Sequence, residues 1–334
     1  MTLFLELLFF LLMIFVAAEV FVNALEHLGD TLEISEGLTG SVFASVGTAM
    51  PETLVPLLAI FAGTSNGRVN EEIGVGTILG APLMLSTLSI FLMSAAAFKK
   101  RGAKGYLTPE RSGLRRDLDF FLIAFSLSLA ALFIPRDEGW VRTALALVLV
   151  LTYFIYILRT VNASSKLVAD GHGTEAEMPL WLGRVGLPES APVILVQLAL
   201  GLALLVWGAK GFIGVVEAAA TTLGISALLL SLMIVPIATE LPEKVNSILW
   251  IRRHKDTLAF GNITGAMVFQ GTLLPAIGIV FTSWTPRREV LLGVVITLLA
   301  ACWLRLRVSA DRLQVRDLWI NGALYVVYVS LVLT

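Results

Sequence analysis

Apolar runs long enough to cross a membrane recur along nearly the whole chain. A transmembrane helix needs roughly 20 consecutive apolar residues, and such runs lie at residues 2–25, 38–62, 73–98, 118–135, 139–159, 191–218, 226–251, 257–283, 287–304 and 316–334. The chain is 57% hydrophobic and 15% charged, with a mean hydropathy of +0.86. The runs are continuous rather than alternating, which favours helices over barrel strands. The sequence therefore predicts an all-α membrane protein with ten transmembrane helices.

The connections between these spans carry an uneven share of the basic residues. Seventeen of the 24 Lys and Arg residues lie in odd-numbered connections and five lie in even-numbered ones. Because cytoplasmic loops are rich in Lys and Arg, we expect the odd-numbered connections to be cytoplasmic and both termini to be extracellular. The longest connections, 99–117 and 160–190, are too short for a soluble catalytic domain. The first run has no basic leader or cleavage site, so we expect a retained helix.

Charge and cysteine content narrow the range of partners. A formal net charge of −1 argues against nucleic acid. The single cysteine, Cys302, permits no intrachain disulfide. We expect no cofactor and no obligate protein partner. The apolar runs predict membrane lipid as a partner, and the glutamates placed inside those runs predict inorganic cations.

The chain repeats itself at an offset of 191 residues. There "FVNALEHLGDTLEIS" (21–35) aligns with "FIGVVEAAATTLGIS" (212–226). After a shorter loop in the second half, "GVGTILGAPLML" (74–85) aligns with "AFGNITGAMVFQ" (259–270) at an offset of 185 residues. We expect two homologous five-helix units, residues 1–159 and 191–334, joined by a cytoplasmic linker at 160–190. Because five is odd, the second unit is inverted in the membrane, an architecture typical of secondary transporters.

Each unit places a Pro-Glu pair inside an apolar run, in "VGTAMPETLVP" (46–56) and "PIATELPEKVN" (236–246). A proline inside a helix leaves the carbonyl four residues earlier without a hydrogen bond. A threonine lies four residues before each glutamate, on the same helix face. Each unit thus offers a carboxylate, a hydroxyl and a carbonyl: Glu52, Thr48 and Gly47 in the first, and Glu243, Thr239 and Ala238 in the second. Such a cluster of hard oxygens with two negative charges suits Ca²⁺.

Several of these residues also have a purely structural interpretation. The two glutamates could be neutral acids hydrogen-bonded to a neighbouring helix, and each threonine could bond a carbonyl of its own helix. The next helix of each unit has a GxxxG pattern, Gly76–Gly80 and Gly261–Gly265, which is typical of close helix packing. Close approach would bring Asn262, and Thr77 at the matching position, towards the carboxylates. Asn262 is then either an ion ligand or an interhelical hydrogen-bond donor.

At these residues the sequence resembles the cation/calcium exchanger superfamily, which contains sodium/calcium and proton/calcium antiporters. The resemblance covers nearly the whole chain and is most specific in two alpha repeats, at about 36–90 and 224–280. It implies that Glu52 and Glu243 are the central ion carboxylates, with Thr48 and Thr239 as partners. Asn262 matches the first Asn of the family motif G-N-x-x-G-S-N. The resemblance also implies a location in a bacterial plasma membrane.

The sequence departs from the family pattern at several polar positions. In the motif G-T-S-x-P-E, the serine is replaced by Ala49 in the first half and by Glu240 in the second. The Ser-Asn that closes the second motif is replaced by Ala81-Pro82 and by Ala266-Met267. Several polar ligands for sodium are therefore missing, whereas the principal carboxylates for calcium are present.

Taken together, these features predict a secondary antiporter that exchanges Ca²⁺, or a similar divalent cation, for Na⁺ by alternating access. H⁺ is the alternative counter-ion. Two unpaired carboxylates are too costly to move between the two membrane faces empty, so cations or protons must neutralise them. A cation channel and an intramembrane enzyme with Glu52 and Glu243 as acid and base are further alternatives. Neither of them explains the inverted duplication.

Two charged residues, Glu240 and Lys244, have no charged equivalent in the first half, where Ala49 and Thr53 align with them. Their i, i+4 spacing allows an ion pair on one helix face. The functional alternative is that Lys244 stands in for one bound cation while Glu240 takes up a proton. The sequence leaves both interpretations open.

Overall fold

The chain is almost entirely helical in the computed structural model, which describes residues 2–31, 50–168, 178–309 and 313–334. The first half contains α1 (Thr2–Thr31), α2 (Met50–Ala62), α3 (Gly67–Met84), α4 (Ile90–Arg101), α5 (Arg111–Ala131) and α6 (Gly139–Val168). The second half contains α7 (Ala191–Leu223), α8 (Ala227–Met233), α9 (Val235–Thr239), α10 (Leu241–Arg252), α11 (Asp256–Phe281), α12 (Arg288–Ser309) and α13 (Trp319–Leu333). Strands β1 (Tyr106–Leu107) and β2 (Leu313–Gln314) form one antiparallel pair. The all-α prediction is confirmed apart from this ribbon.

Seven helical stretches of the described chain are long and apolar enough to cross a membrane, against the ten that the sequence predicts. They are Leu3–Phe21, Gly67–Arg101, Gly139–Thr160, Ala191–Leu223, Asp256–Phe281, Arg288–Val308 and Val315–Leu333. Most of the predicted run 118–135 lies in α5, which ends at Ala131 and whose first turns carry several charged residues, beginning with Arg111. The predicted run 226–251 is three consecutive helices, α8 to α10, rather than one. Of the run 38–62, the part from Met50 onwards is described, as α2.

The predicted span 73–98 is a longer continuous helix. α3 and α4 are joined without a break by a π-helical segment, Leu85–Ser89, so that the helix extends from Gly67 to Arg101. A π-helical turn displaces the regular bonding of the backbone, and here Asn321 of α13 donates to the carbonyl of Ser86 at 2.8 Å. The wide turn is thus fixed by the last helix of the chain.

The connections between helices collect in two groups. In one group, β1 follows α4 and pairs with β2, which follows α12, while Arg101 contacts Asp256 at the start of α11 at 2.7 Å. In the other group, Glu72 near the start of α3 accepts a 2.7 Å bond from Arg287. Arg142 near the start of α6 donates to the carbonyls of Ile279 and Thr282 at the end of α11. This grouping agrees with spans that cross the membrane alternately.

α1 and α7, the first helices of the two halves, pack against each other in opposite directions. A Cβ atom on Gly201 would lie 3.0 Å from Phe21, and one on Gly208 would lie 3.0 Å from Ile14. One on Gly211 would meet the ring of Phe10. The contact positions descend along α1 as they ascend along α7, so the two helices are antiparallel.

The apolar core consists of two main clusters. One joins α3, α5 and α11 and includes Leu79, Phe121 and Ile263. The other joins α1, α2 and α7 and includes Val55 and Phe212. Helices from the two clusters meet where α2 approaches α11, with the rings of Phe61 and Phe281 4.9 Å apart. That junction contains the polar residues described next.

Candidate functional site

The site is built around the interruption between α9 and α10. α9 ends at Thr239 and α10 begins at Leu241, with Glu240 between them at φ −89° and ψ 7°, in the sparsely populated bridge region. Pro236 and Pro242 each occupy the second residue of a helix. A proline is tolerated in the first helical turn because its missing N–H would have no intrahelical partner there. The sequence prediction of a proline inside one long helix is therefore wrong, because Pro242 lies in the first turn of a new helix.

Three carboxylates are buried at this interruption. Glu52 lies in the first turn of α2 and Glu243 lies in the first turn of α10. Glu52 is 0% exposed, Glu243 is 2% exposed and Glu240 is 0% exposed. Glu52 lies within electrostatic range of both Glu240 and Glu243. Glutamates from both halves of the chain therefore lie in the same part of the structure, and the start of each helix favours the negative charge placed there.

A buried amide connects carboxylates from the two halves of the chain. Nε2 of Gln270 in α11 donates to Oε1 of Glu240 at 2.6 Å and lies 3.5 Å from Oε1 of Glu52. Gln270 is 0% exposed. Gln270 was not among the ligands predicted from the sequence, although a lone glutamine inside an apolar helix, opposite Leu85 in the repeat alignment, is a usable signal. Gln270 therefore belongs to the site as a positioning residue.

Four oxygen atoms of this cluster are buried without a hydrogen-bond partner among the described residues. They are Oε2 of Glu52, Glu240 and Glu243, and Oε1 of Gln270. A buried polar atom of this kind costs about 1–3 kcal/mol and calls for an ion, a water or a functional explanation. Carboxylate and amide oxygens are the ligands that Ca²⁺ and Na⁺ accept. The chemistry of these donors therefore fits a hard cation.

The described side chains do not complete a metal site by themselves. Within the described ranges, no group of three His, Cys, Asp or Glu side chains is placed to hold a metal ion. Gly47 and Thr48, which the sequence predicts as ligands, lie outside the described residues. Ala238 lies in α9 next to Thr239. A complete ion shell would thus need neutral oxygens in addition to the three carboxylates.

The predicted threonine ligands bond their own helices. Thr239 donates to the carbonyl of Val235 at 3.2 Å, and Thr77 donates to the carbonyl of Ile73 at 2.8 Å. Both residues are 1% exposed. This is the structural alternative considered for threonine, but a hydroxyl that donates keeps lone pairs that can accept or ligate. Both oxygens therefore stay available as neutral ligands.

Asn262 connects two helices of the second half. Its Nδ2 donates at 3.1 Å to the backbone carbonyl of Glu243 and at 3.1 Å to Oγ of Ser247. Ser247 in turn donates to the carbonyl of Ala259 at 3.2 Å. Asn262 thus makes interhelical hydrogen bonds, which is the alternative to an ion ligand that the sequence predicts for it. These bonds hold α10 against α11 beside Glu243.

Glycines of the first GxxxG pattern let α3 approach the broken helix. A Cβ atom on Gly76 would lie 2.7 Å from the carbonyl of Leu228, and one on Gly80 would lie 2.5 Å from the carbonyl of Leu232. Any side chain at either position would push the two helices apart. The packing interpretation is therefore confirmed for Gly76 and Gly80.

Lys244 reaches back to the interrupted backbone. Its Nζ donates to the carbonyl of Pro236 at 2.8 Å and lies 3.5 Å from the carbonyl of Ile237. Among the described residues no carboxylate lies within ion-pairing distance of Lys244. All three buried glutamates are nevertheless close enough to interact electrostatically with its ammonium. The helix-face ion pair with Glu240 that the spacing allows is therefore not formed.

The sequence of the chain matches a known protein family. The sequence model of the family described as "Sodium/calcium exchanger protein" matches residues 2–161 and 193–334. CaxA of Alkalimonas amylolytica, a candidate antiporter, is 28% identical over 79% of this chain and 75% of its own length. The inner membrane protein YrbG of Escherichia coli is 24% identical over 88% of this chain and 87% of its own length.

The fold is shared with a solved structure. The H⁺/Ca²⁺ exchanger CAX superposes with a TM-score of 0.70 at 20% identity, covering 99% of this chain and 82% of that one. The extent of the family match covers both halves of the chain, including α2 and α8 to α11. The chain therefore belongs to the sodium/calcium exchanger family of integral membrane proteins, whose members are ion exchangers and not enzymes.

Proposed function

We propose that the protein is a secondary antiporter that exchanges Ca²⁺, or a similar divalent cation, for Na⁺ across the membrane by alternating access. The observation that carries this proposal is the cluster of buried, incompletely bonded carboxylates contributed by α2 and by the interruption before α10. Glu52 and Glu243 are the principal charged ligands. The remaining proposed ligands are Glu240, the hydroxyls of Thr239 and Thr77, the backbone carbonyls at the interruption between α9 and α10, and Thr48 and Gly47 of the first half.

The proposed architecture is two inverted five-helix units, residues 1–159 and 191–334. At the 191-residue offset, Phe10 is equivalent to Gly201, so the contact of Gly201 with Phe21 and that of Phe10 with Gly211 are reciprocal within one residue. Reciprocal contacts are what a two-fold axis generates. This packing supports the inverted repeat.

A second equivalence lies beside the site. A Cβ atom on Gly74 would lie 3.6 Å from the carbonyl of Pro56, and the equivalent positions in the second half, Ala259 and Ser247, share a hydrogen bond. The two halves thus bring the same positions of their second and third helices together. Alternating access then follows from rocking one part of the molecule against the other around a fixed site.

Exchange follows from the cost of buried charge. Carboxylates inside a membrane are expensive unless they are paired, and among the described residues the three glutamates have a single buried ammonium near them. A site with uncompensated negative charge should not switch from facing one side of the membrane to facing the other. Transport in each direction therefore requires a bound cation, which makes uptake of one ion dependent on release of another.

The proposed orientation has both termini extracellular and the connections 99–117 and 160–190 cytoplasmic, because the basic residues are concentrated there. The inner membrane protein among the relatives supports a bacterial plasma membrane. We expect cysteines introduced at Lys104 and Arg184, with Cys302 replaced, to be protected from an impermeant thiol reagent in intact cells and to be labelled after permeabilisation. A cysteine at Arg136 is the matched control and should be labelled in intact cells. The reverse labelling pattern would overturn the orientation.

The counter-ion has two candidates. The family description favours Na⁺. The observation that favours H⁺ is the additional buried carboxylate of Glu240, which stands where the family motif has serine. We propose Na⁺ as the counter-ion and keep H⁺ as the second candidate.

Reconstituted protein distinguishes the two. Proteoliposomes loaded with Na⁺ and diluted into Na⁺-free medium containing ⁴⁵Ca²⁺ should accumulate Ca²⁺, and collapsing the Na⁺ gradient should stop the uptake. An imposed pH gradient without Na⁺ is the matched condition. Ca²⁺ uptake that is independent of the Na⁺ gradient and follows the pH gradient would identify H⁺ as the counter-ion. Ca²⁺ uptake without any counter-ion gradient would indicate a channel.

A further inference from the structure

Lys244 is a buried cation inside a cluster whose task is to bind cations. The residue is 5% exposed, and Thr53 occupies the equivalent position in the first half. Lysine is almost never fully buried unless it is paired, yet within the described chain its hydrogen bonds go to backbone carbonyls and no ion pair is formed. An ammonium in this place needs an explanation beyond helix packing.

The partners of Lys244 are the oxygens that a small cation would use. Pro236 and Ile237 lie in α9, about one turn before the helix is interrupted at Glu240. Their carbonyl oxygens lie 2.8 and 3.5 Å from Nζ of Lys244. Carbonyls of interrupted helices coordinate monovalent cations in membrane proteins. The three buried glutamates lie within electrostatic range of the same nitrogen. The ammonium thus has carbonyl contacts and an acidic surrounding like those of a bound Na⁺.

The charges of the cluster give the consequence. Glu52, Glu240 and Glu243 carry three negative charges when ionised, and Lys244 carries one positive charge, which leaves a net charge of −2. One Ca²⁺ or two monovalent cations neutralise that charge. Without Lys244 the same cluster would require three monovalent cations, since an uncompensated buried charge is strongly destabilising.

We propose that the Lys244 ammonium is a built-in cation that fills one monovalent-cation subsite, formed with the carbonyls of Pro236 and Ile237, so that one fewer free cation is exchanged against each Ca²⁺. This proposal rests on the proposed exchange function. It predicts two Na⁺ per Ca²⁺ in the native protein and therefore exchange that moves no net charge. Removing the ammonium opens the subsite to a free cation.

The test counts Na⁺ binding in purified protein and does not depend on transport. Purified protein in Ca²⁺-free detergent is titrated with NaCl against N-methyl-D-glucamine chloride at constant ionic strength, and the Tm is followed, because a ligand that binds the folded state raises the Tm by mass action. We expect Lys244→Met to gain a Na⁺-dependent rise in Tm beyond that of the native protein. Lys244→Arg keeps the charge and should not gain it. Lys210→Met, which removes an exposed lysine on α7, is the matched control and should behave like the native protein.

A second readout gives the number of ions. The slope of log apparent Kd for Ca²⁺ against log Na⁺ concentration should rise by one in Lys244→Met relative to the native protein. Equal Na⁺ responses in Lys244→Met and Lys210→Met would overturn the proposal. If Lys244→Met does not fold, Lys244→Gln, which also removes the charge but keeps an N–H donor for the carbonyl of Pro236, takes its place and is judged by the same Na⁺-dependent gain.

The outcome for Lys244 is separable from that for the proposed function. A native protein with a zero Na⁺ slope would reject sodium as the counter-ion, while a slope of one in Lys244→Met would still identify the subsite. A native protein that binds no Ca²⁺ would reject the calcium exchange, and the Na⁺-dependent Tm would decide the role of Lys244 without it.

Discussion

Glu52→Gln and Glu243→Gln are each expected to reduce Ca²⁺ uptake to the level of protein-free liposomes. Both side chains are buried, and each has an Oε2 atom without a partner among the described residues. Glutamine is isosteric with glutamate and keeps a carbonyl oxygen, so the change removes one negative charge and little volume. Since Ca²⁺ binding depends on the number of charged ligands, each loss should abolish binding of the divalent ion.

The measurement is Na⁺-driven ⁴⁵Ca²⁺ uptake, with the Tm in detergent as the test of folding. Removing a negative charge from a cluster of three carboxylates relieves repulsion, so the variants should be at least as thermostable as the native protein. Glu6→Gln, a change at an exposed position of α1, is the matched control and should transport normally. Near-native uptake by either site variant would remove that glutamate from the proposed ion site.

The helices and the pairing of the two Pro-Glu segments follow from the sequence because both leave strong local signals. Apolar length predicts spanning helices, and the 191-residue offset places Glu52 and Glu243 in equivalent positions. The structure indeed places both glutamates in the first turn of a helix. The number of separate helices in 226–251 was not predictable, because a proline can kink a helix or begin one, and only the backbone geometry around Glu240 decides between them.

The roles of individual polar residues were less predictable. An ion pair between Glu240 and Lys244 at i, i+4 requires one continuous helix. The helix is instead interrupted at Glu240, and Lys244 donates to the carbonyl of Pro236 and lies near that of Ile237. Gln270 was missed because its partner Glu240 lies 30 residues away in the sequence, and no local pattern connects the two. Pair contacts of this kind arise from tertiary packing.

The connection at the end of α4 offers a test of stability rather than transport. Asp256, at the start of α11, receives two 2.7 Å bonds from Arg101 and a 2.8 Å bond from the backbone N–H of Thr108. The side chains of Arg101 and Asp256 are 9% and 2% exposed. Arg101 also donates to the carbonyl of Ile251 at 3.0 Å. This one ion pair therefore joins the end of α4, the residue that follows β1 and both sides of the α10–α11 turn.

Asp256→Ala should lower the stability of the protein strongly, because it leaves the guanidinium of Arg101 buried without its carboxylate. Breaking a buried pair from one side costs about 3–5 kcal/mol. The exposed pair of Arg305 with Asp119, whose carboxylate side chain is 48% exposed, is the matched control, since surface pairs contribute about 0–1 kcal/mol. We expect the Tm in detergent to fall several times further for Asp256→Ala than for Asp119→Ala, and Arg101→Met/Asp256→Met, which removes both charges, to recover part of the loss. Equal decreases for the two single variants would mean that solvent reaches the Arg101 pair and that it does not hold α4 to α11.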